Sequence, residues 1–441
     1  MKETKIGTCN DDFDVIKLKN FLTKNDAGKW GSDPKGDEGI NVVRSTNFNS
    51  TGYLNLSKVA VRNLSQEEFN KTVLIENDII IERSGGSANQ PVGRVSFITP
   101  EVSKQKFSFS NFIQRIRVDD NNNNAKYLFY CLYYLHSAGF TETMQTQTNG
   151  IRNLEYRYYL NQKFPKPNKK EQEKIAQALS LVDKNIIETK NSISKLEKLK
   201  KSLMQNLLSG RMKPDGSWRK EDDFWEDEKF GKIPIGWDLK YIGDESVSKI
   251  NPLYKYNLNQ EYAFLEMAAV ENNYRGVKAY DKFQITKRNS GLSCYKNGDV
   301  LFAKITPCTE NGKIALIEDC PTSIGFGSTE FIVLSPQKNM HPYLLYSKLI
   351  SKNIHERAVS LMEGTTGRQR VPGKIFKNVL QIIFPRQISD QVRLVKPLMI
   401  IDRNIEEKVK SVDKLLVLKK SLMQNLLTGK IRIPIKVKNL K

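Results

Sequence analysis

Histidine and cysteine are scarce in this chain, and their scarcity excludes whole classes of function. Three histidines occur in 441 residues, and the five cysteines (Cys9, Cys131, Cys294, Cys308, Cys320) form no Cys-x-x-Cys pair. A disulfide framework and a cysteine-histidine zinc site are therefore not expected, and scattered thiols fit a reducing cytoplasm. No apolar run approaches the length of a membrane span, and Met1-Lys2-Glu3-Thr4-Lys5 does not read as a signal peptide. Acidic residues are also in deficit. Against 70 lysines and arginines there are 49 acids, a formal charge of +21. That balance points to a polyanionic partner, nucleic acid foremost.

Catalytic signatures are missing as well. Asn251-Pro252-Leu253-Tyr254 matches the Asn-Pro-Pro-Tyr pattern of adenine methyltransferases only in part, and no glycine-rich loop for S-adenosylmethionine accompanies it. Pro214-Asp215 with Asp227-Glu228-Lys229 has the letters of a metal-dependent nuclease, but in an acidic stretch without framing strands. Glu310-Asn311-Gly312-Lys313 ends as a phosphate-binding loop ends, with Pro307 where that motif needs glycine. His136, His341 and His355 have no cysteine or carboxylate at ligand spacing. Neither a catalytic residue nor a metal site is expected.

The chain does contain a repeat. The decapeptide Leu-Lys-Lys-Ser-Leu-Met-Gln-Asn-Leu-Leu occupies Leu199–Leu208 and again Leu418–Leu427, an offset of 219. Val182-Asp183-Lys184-Asn185-Ile186 answers Ile401-Asp402-Arg403-Asn404-Ile405 at the same offset. A tandem duplication follows, and it fixes the architecture before any local reading. From Lys169 to Leu208 there is no glycine or proline. Apolar residues fall at Ile175, Leu179, Val182, Ile186, Ile193, Leu196, Leu199, Leu203 and Leu207, a helical stripe close to a coiled-coil seam. Their counterparts are Leu394, Leu398, Ile401, Ile405, Val412, Leu415, Leu418, Leu422 and Leu426, all apolar. The stripes are expected to bury against each other, since each Leu or Ile is worth roughly 1.5–3 kcal/mol on burial. Gly210 and Gly429 read as C-terminal caps, with Pro214 and Pro434 beyond them. Pro397 is expected to kink or delay the second helix.

The repeat divides the chain into a globular unit at 1–168, a helix at 169–210, an acidic linker at 211–230, a second unit at 231–385, a helix at 386–430 and a basic tail at 431–441. Strand-like runs are expected at Thr72–Leu74, Asp78–Glu82, Arg94–Ile98 and Phe112–Val118, then a helix at Tyr127–Leu135. The second unit repeats the order: strands at Tyr262–Met267, Asp299–Lys304, Lys313–Ile317 and Glu330–Leu334, and a helix at Tyr343–Ile354. Both units carry polar and glycine-bearing loops at matching places. Ser84 to Arg94 corresponds to Lys304, Thr306 and Lys313; Thr148, Asn149, Arg152 and Asn153 correspond to Thr366, Arg368, Gln369 and Arg370. Arginine for guanine, Asn or Gln for adenine, and hydroxyls for phosphates are the side chains that DNA reading needs. These thirteen residues are the candidate DNA contacts.

Taken together, these features resemble the specificity subunits of Type I restriction-modification systems. The resemblance rests on the repeated Lys-Ser-Leu-Met-Gln-Asn-Leu-Leu-[Ser/Thr]-Gly, on Ile233-Pro234-Ile235-Gly236-Trp237, on Gly298-Asp299-Val300-Leu301-Phe302-Ala303-Lys304 and on Gly327-Ser328-Thr329-Glu330-Phe331. The first half departs from it, lacking Pro-x-Gly-Trp and carrying Asn77 where glycine is expected. The resemblance implies an α+β chain with two mixed α/β target recognition domains, related by duplication and joined by two long helices in an antiparallel coiled coil. It implies a non-catalytic cytoplasmic subunit that reads a bipartite sequence in double-stranded DNA. Two modification subunits would dock on it to methylate adenine, and restriction subunits would add translocation and cleavage. S-adenosylmethionine, ATP and Mg would then bind those partners rather than this chain. Helices of 38–40 residues reach roughly 57–60 Å, enough to set readers on successive major-groove faces about 34 Å apart. The competing readings are a self-contained DNA methyltransferase or nuclease, and a DNA-binding scaffold without sequence preference.

Overall fold

A computed structural model describes residues 1–34, 39–87, 90–148, 150–272, 276–286, 291–365 and 367–434. Two compact units emerge, one of Met1–Asn191 with Val409–Lys441 and the other of Ser192–Lys408. Both long helices, Lys169–Leu208 and Ile388–Leu427, contribute to both units, and each unit holds one antiparallel stretch of the pair.

The core of the first unit is organised by Ile79–Glu82, a strand buried on both faces. Side chains alternate along a strand. Ile79 and Ile81 pack with Tyr127, Leu128 and Phe129 of the helix Ala125–Ser137, whereas Ile80 packs with Phe107, Phe109 and Val43. That strand lies in an antiparallel sheet between Ile113–Val118 and Val95–Phe97. The second unit repeats the arrangement. Val300 and Phe302 face Leu344 and Leu345, while Leu301 and Ala303 face Leu265 and Tyr295. A turn precedes each strand, with Asn77 at φ +69° and Gly298 at φ +90°. Asn is among the few non-glycine residues that tolerate this left-handed conformation, so the departure at Asn77 keeps the same turn. Each unit closes alike: Asp14–Lys17 pairs with Lys163–Lys166, and Trp237–Tyr241 with Gln381–Pro385. The second strand of each pair leads directly into a long helix.

Some local expectations fail. Thr72–Leu74 is not a strand. Thr72 ends a helix that begins at Gln66, where Ser65 and Glu68 cap each other's backbone N–H. This is a Ser-x-x-Glu start signal that outweighed the β-branched residues downstream. The helix expected over Tyr343–Ile354 is two helices, Pro342–Leu349 and Lys352–Ser360. The acidic stretch 211–230 is folded rather than a bare linker. Phe224–Asp227 pairs with Gly231–Pro234 as a hairpin that straddles the expected boundary, and Arg219 donates to Gly210 O at 2.7 Å. Pro397 does not delay its helix, which already runs from Ile388 and continues to Leu427. In the basic tail, Arg432 is bound by Glu171 and Asp12, and 435–441 lie outside the described residues.

The helix stripe is buried most deeply where it meets a unit's core. In the first unit Ile175, Leu179, Val182 and Ile186 are buried, and Ile175 and Leu179 share a core with Leu426 and half-buried Leu422 of the other helix. In the second, Leu207 and half-buried Leu203 share one with Leu394 and Leu398. Ile401 and Val412 are buried, while Ile193, Leu196, Ile405 and Leu415 are half-buried. Leu199 and Leu418 depart from the stripe: they are 48% and 46% exposed. The next residue in each repeat takes the inward place. Lys419 meets Asp183 at 2.6 Å, the two side chains only 4% and 6% exposed. Lys200 meets Asp402, also at 2.6 Å, in the other unit. Tyr130 donates to Asp183 at 2.8 Å, and Tyr343 donates to Asp402. The repeated Asp and Lys are thus one polar seam built twice, each tied to its own unit by a tyrosine. Buried glutamines add a second tie. Gln172 donates to Pro167 O and accepts from Asn124 N; Gln391 donates to Pro385 O and accepts from His341 N, all at 2.8 Å. Gly210 and Gly429, at φ +73° and +68°, end both helices as expected.

Removing Lys419 strands a buried carboxylate. Lys419→Ala should therefore cost about 3–5 kcal/mol in urea denaturation, and Lys200→Ala clearly less, its pair being more exposed. Lys348 supplies a second test. It is 4% exposed, donates to Leu208 O at 2.6 Å, and burial pushes its pKa from 10.5 down to about 7. Between those values the unfolded chain binds more protons than the folded one, so this group adds stability as pH rises from about 7 towards 10. Lys348→Met should flatten that rise, read from urea midpoints at pH 7 and 9.5.

Candidate nucleic-acid interface

The loops singled out in the sequence are adjacent in each unit. In the first, Ser84–Gly86 pairs with Ile151–Leu154, which pairs with Gln145–Thr148. In the second, Ile305 and Glu363 both bridge to Arg370. The backbone registers correspond residue by residue. Leu154 N donates to Arg83 O at 2.8 Å, and Val371 N to Lys304 O at 2.7 Å. Thr146 lies opposite Asn153 as Glu363 lies opposite Arg370. Gly150 and Gly367 sit at equivalent places with φ +78° and +80°. Residues 145–154 and 362–371 are therefore equivalent hairpins, with Arg152 answering Gln369 and Asn153 answering Arg370. Asn149 and Thr366 lie outside the described residues, as does the side chain of Thr148.

The basic candidates divide into tethered and untethered groups. Arg94 donates to both oxygens of Glu82 at 2.8 and 2.7 Å, to Ser45 O at 2.9 Å and to Phe48 O at 3.2 Å. Glu82 is fully buried. Lys313 occupies the equivalent position and donates to Met267 O at 2.7 Å. Ser45 and Met267 each open a short 3-10 turn, Ser45–Asn47 and Met267–Ala269, after the strands Ile40–Val43 and Glu261–Leu265. Arg94 and Lys313 thus brace the same turn, and their donors face inward. Behind Arg94, burial and then the Arg94 charge push the pKa of His136 down to about 4, leaving that imidazole neutral.

Lys304 donates to Thr329 O at 2.8 Å, and Thr306 to Glu310 at 2.9 Å. Arg370 forks onto Glu330 at 3.0 and 2.8 Å, and this hydrogen bonding holds the Glu330 carboxyl below its usual pKa. Ser84 accepts the Ser45 hydroxyl at its carbonyl, 3.2 Å away. In the first unit Arg152 is half-buried, and in the second Arg368 is exposed and its chain neighbour Gln369 half-buried; neither arginine forms an ion pair among the described residues. Exposed Thr146 and Gln147 share the first hairpin's surface. The Gln-Thr-Gln-Thr alternation of Gln145–Thr148 is the sequence signal for that strand.

The motifs with catalytic overtones have structural partners. Asn251 accepts from Val333 N at 2.9 Å, and Tyr254 donates to buried Asp299 at 2.7 Å. Asp227 accepts from the backbone of Lys229 and Phe230 within its hairpin turn. His355 meets Thr309 O at 2.8 Å. Among the described residues no group of three His, Cys, Asp or Glu could hold a metal, and no helix is long and apolar enough to cross a membrane.

Each unit thus presents an equivalent polar hairpin on a separately closed α+β frame. Residues 10–198 match the family model described as the Type I restriction modification DNA specificity domain. The chain is 31% identical over 173 residues to the Type I restriction enzyme EcoAI specificity subunit of Escherichia coli, covering 38% of this chain and 28% of that one. It therefore spans less than a third of that relative's length. Against the putative type I restriction enzyme MjaX specificity subunit of Methanocaldococcus jannaschii, identity is 24% over 442 residues, covering 98% of this chain and 96% of that one. The fold resembles the crystal structure of the Type-I restriction-modification system S subunit from M. genitalium. There the TM-score is 0.57 at 15% identity, over 97% of this chain and 99% of that one. Residues 10–198 thus match the Type I restriction modification DNA specificity domain, and the chain is similar along its length to Type I restriction enzyme specificity subunits.

Arg94→Ala should cost about 3–5 kcal/mol, because Glu82 loses its partner in a buried site. Arg152→Ala and Arg368→Ala should change stability by no more than about 0.5 kcal/mol and should weaken duplex binding, read by denaturation and titration of the same preparations.

Proposed function

We propose that this chain is the DNA-reading subunit of a Type I restriction-modification complex, each unit reading one half of a bipartite target. The observation that carries this reading is the pair of equivalent hairpins. Their backbone register is the same, yet Arg152 and Asn153 are exchanged for Gln369 and Arg370. A shared frame with different base-reading side chains is what two unlike half-sites require. Untethered arginines and the +21 charge support duplex binding.

Catalysis would come from partners in the cytoplasm: two modification subunits carrying S-adenosylmethionine, and restriction subunits carrying ATP and Mg. Leu199 and Leu418, exposed at equivalent points of the two helices, support docking of two like partners. The unread gap between half-sites would be set by the helix pair. Reading by a self-contained enzyme would instead give methyl transfer or cleavage by the purified chain alone.

Binding should fall steeply between about 50 and 200 mM salt as counterions are displaced. Inserting one helical turn beside Ile193 and another beside Val412 should lengthen the gap while leaving both half-site sequences intact, read by mapping methylated adenines. An unchanged gap would remove the helices as the ruler, and loss of preference for either half would remove the two-reader scheme.

A further inference from the structure

The two reading surfaces carry opposite charge at one equivalent exposed position, and this bears on which bases they read. Arg44 and Glu266 each stand immediately before the short turn that Arg94 or Lys313 braces from behind. Both are exposed, and neither forms an ion pair among the described residues. Each turn belongs to the same surface as the hairpin. In the first unit the Ser45 hydroxyl donates to Ser84 O at 3.2 Å, and Ser84 lies opposite Asn153. In the second, Leu265 lies beside Gly327 in parallel register. The chain continues from Gly327 to Thr329 and Glu330, which hold Lys304 and Arg370.

Without an ion-pair partner among the described residues, the Glu266 carboxylate would be repelled by a phosphate backbone. It is tolerable on a DNA-reading surface where it faces a base edge that donates. We infer that Glu266 is a specificity residue accepting a hydrogen bond from an exocyclic base amino group, cytosine N4 foremost, and that Arg44 is its counterpart in the other half-site, donating to guanine. A carboxylate can only accept and a guanidinium can only donate. The exchange at this position therefore makes the two units prefer opposite edges of a base pair. This inference rests on the DNA-reading function proposed above.

The test is selection from a randomised duplex pool by the full chain assembled with its modification subunits. Glu266→Ala should lower discrimination at one base pair of one half-site by roughly five- to a hundred-fold, and Arg44→Ala should do so at one base pair of the other. Glu266→Gln, nearly the same shape, should move the preference at its position towards adenine, and it guards against a folding defect in the alanine variant. A uniform gain in affinity from either Glu266 variant, with both half-sites unchanged, would show a merely repelling carboxylate and overturn the inference for Glu266. A uniform loss from Arg44→Ala would make Arg44 a phosphate contact and overturn its half. If the unaltered complex selected no sequence at all, the DNA-reading function itself would fall, and this assignment with it.

Discussion

A carboxylate and an ammonium buried together between helices depend on the register of those helices, because a slip of one residue leaves two desolvated charges unpaired. Asp183 with Lys419, and Asp402 with Lys200, impose that condition once in each unit. Apolar seams are permissive about sliding, since one leucine fits much like another. The charged pair is not. Tyr130 and Tyr343 extend the condition outward, tying the same carboxylates to a helix of each unit. Within each unit, helix register and helix docking are thus linked through a single carboxylate, buried at Asp183 and half-buried at Asp402, and the glutamines Gln172 and Gln391 secure the same junction from the helix start.

On that frame the two surfaces differ both in their exposed residues and in the braces behind them. Arg94 and Lys313 do one job with different chemistry. The arginine needs a buried acid, Glu82, to neutralise it, whereas the lysine stands beside Ala303 and satisfies itself on a carbonyl. Bracing from behind keeps the turn in place while the exposed residues ahead of it change. Rigid support under variable contacts is the arrangement a recognition site needs if its geometry is to survive a change of target. It also separates two kinds of basic residue that composition cannot tell apart. Some cations maintain the loop, and others are left for the ligand.

Much of the fold was legible from residue order alone. The decapeptide repeat, the glycine caps and the nine-position stripe placed both long helices, because helix-forming periodicity over forty residues is local information. Strands such as Ile79–Glu82 and Val300–Ala303 were visible as apolar runs for the same reason. The failures were also local contests. At Ser65 a capping box outweighed the β-branched residues that followed, and in 211–230 a hairpin formed despite an acidic composition. Leu199 and Leu418 were misplaced because hydrophobic spacing cannot show that a neighbouring lysine has a buried acid waiting for it.

The site was legible as places rather than roles. Sequence by itself determined the duplication and the matching positions of the loops, since each is a property of residue identity and spacing. Only the tertiary structure decided that Arg94 and Lys313 face inward, that Arg370 is engaged by Glu330, and that Arg44 and Glu266 hold one equivalent exposed position. The physical reason is that a charged side chain's role depends on which groups lie within hydrogen-bonding reach. Those groups are up to 49 residues away for Arg94 and 40 for Arg370, where no local pattern records them.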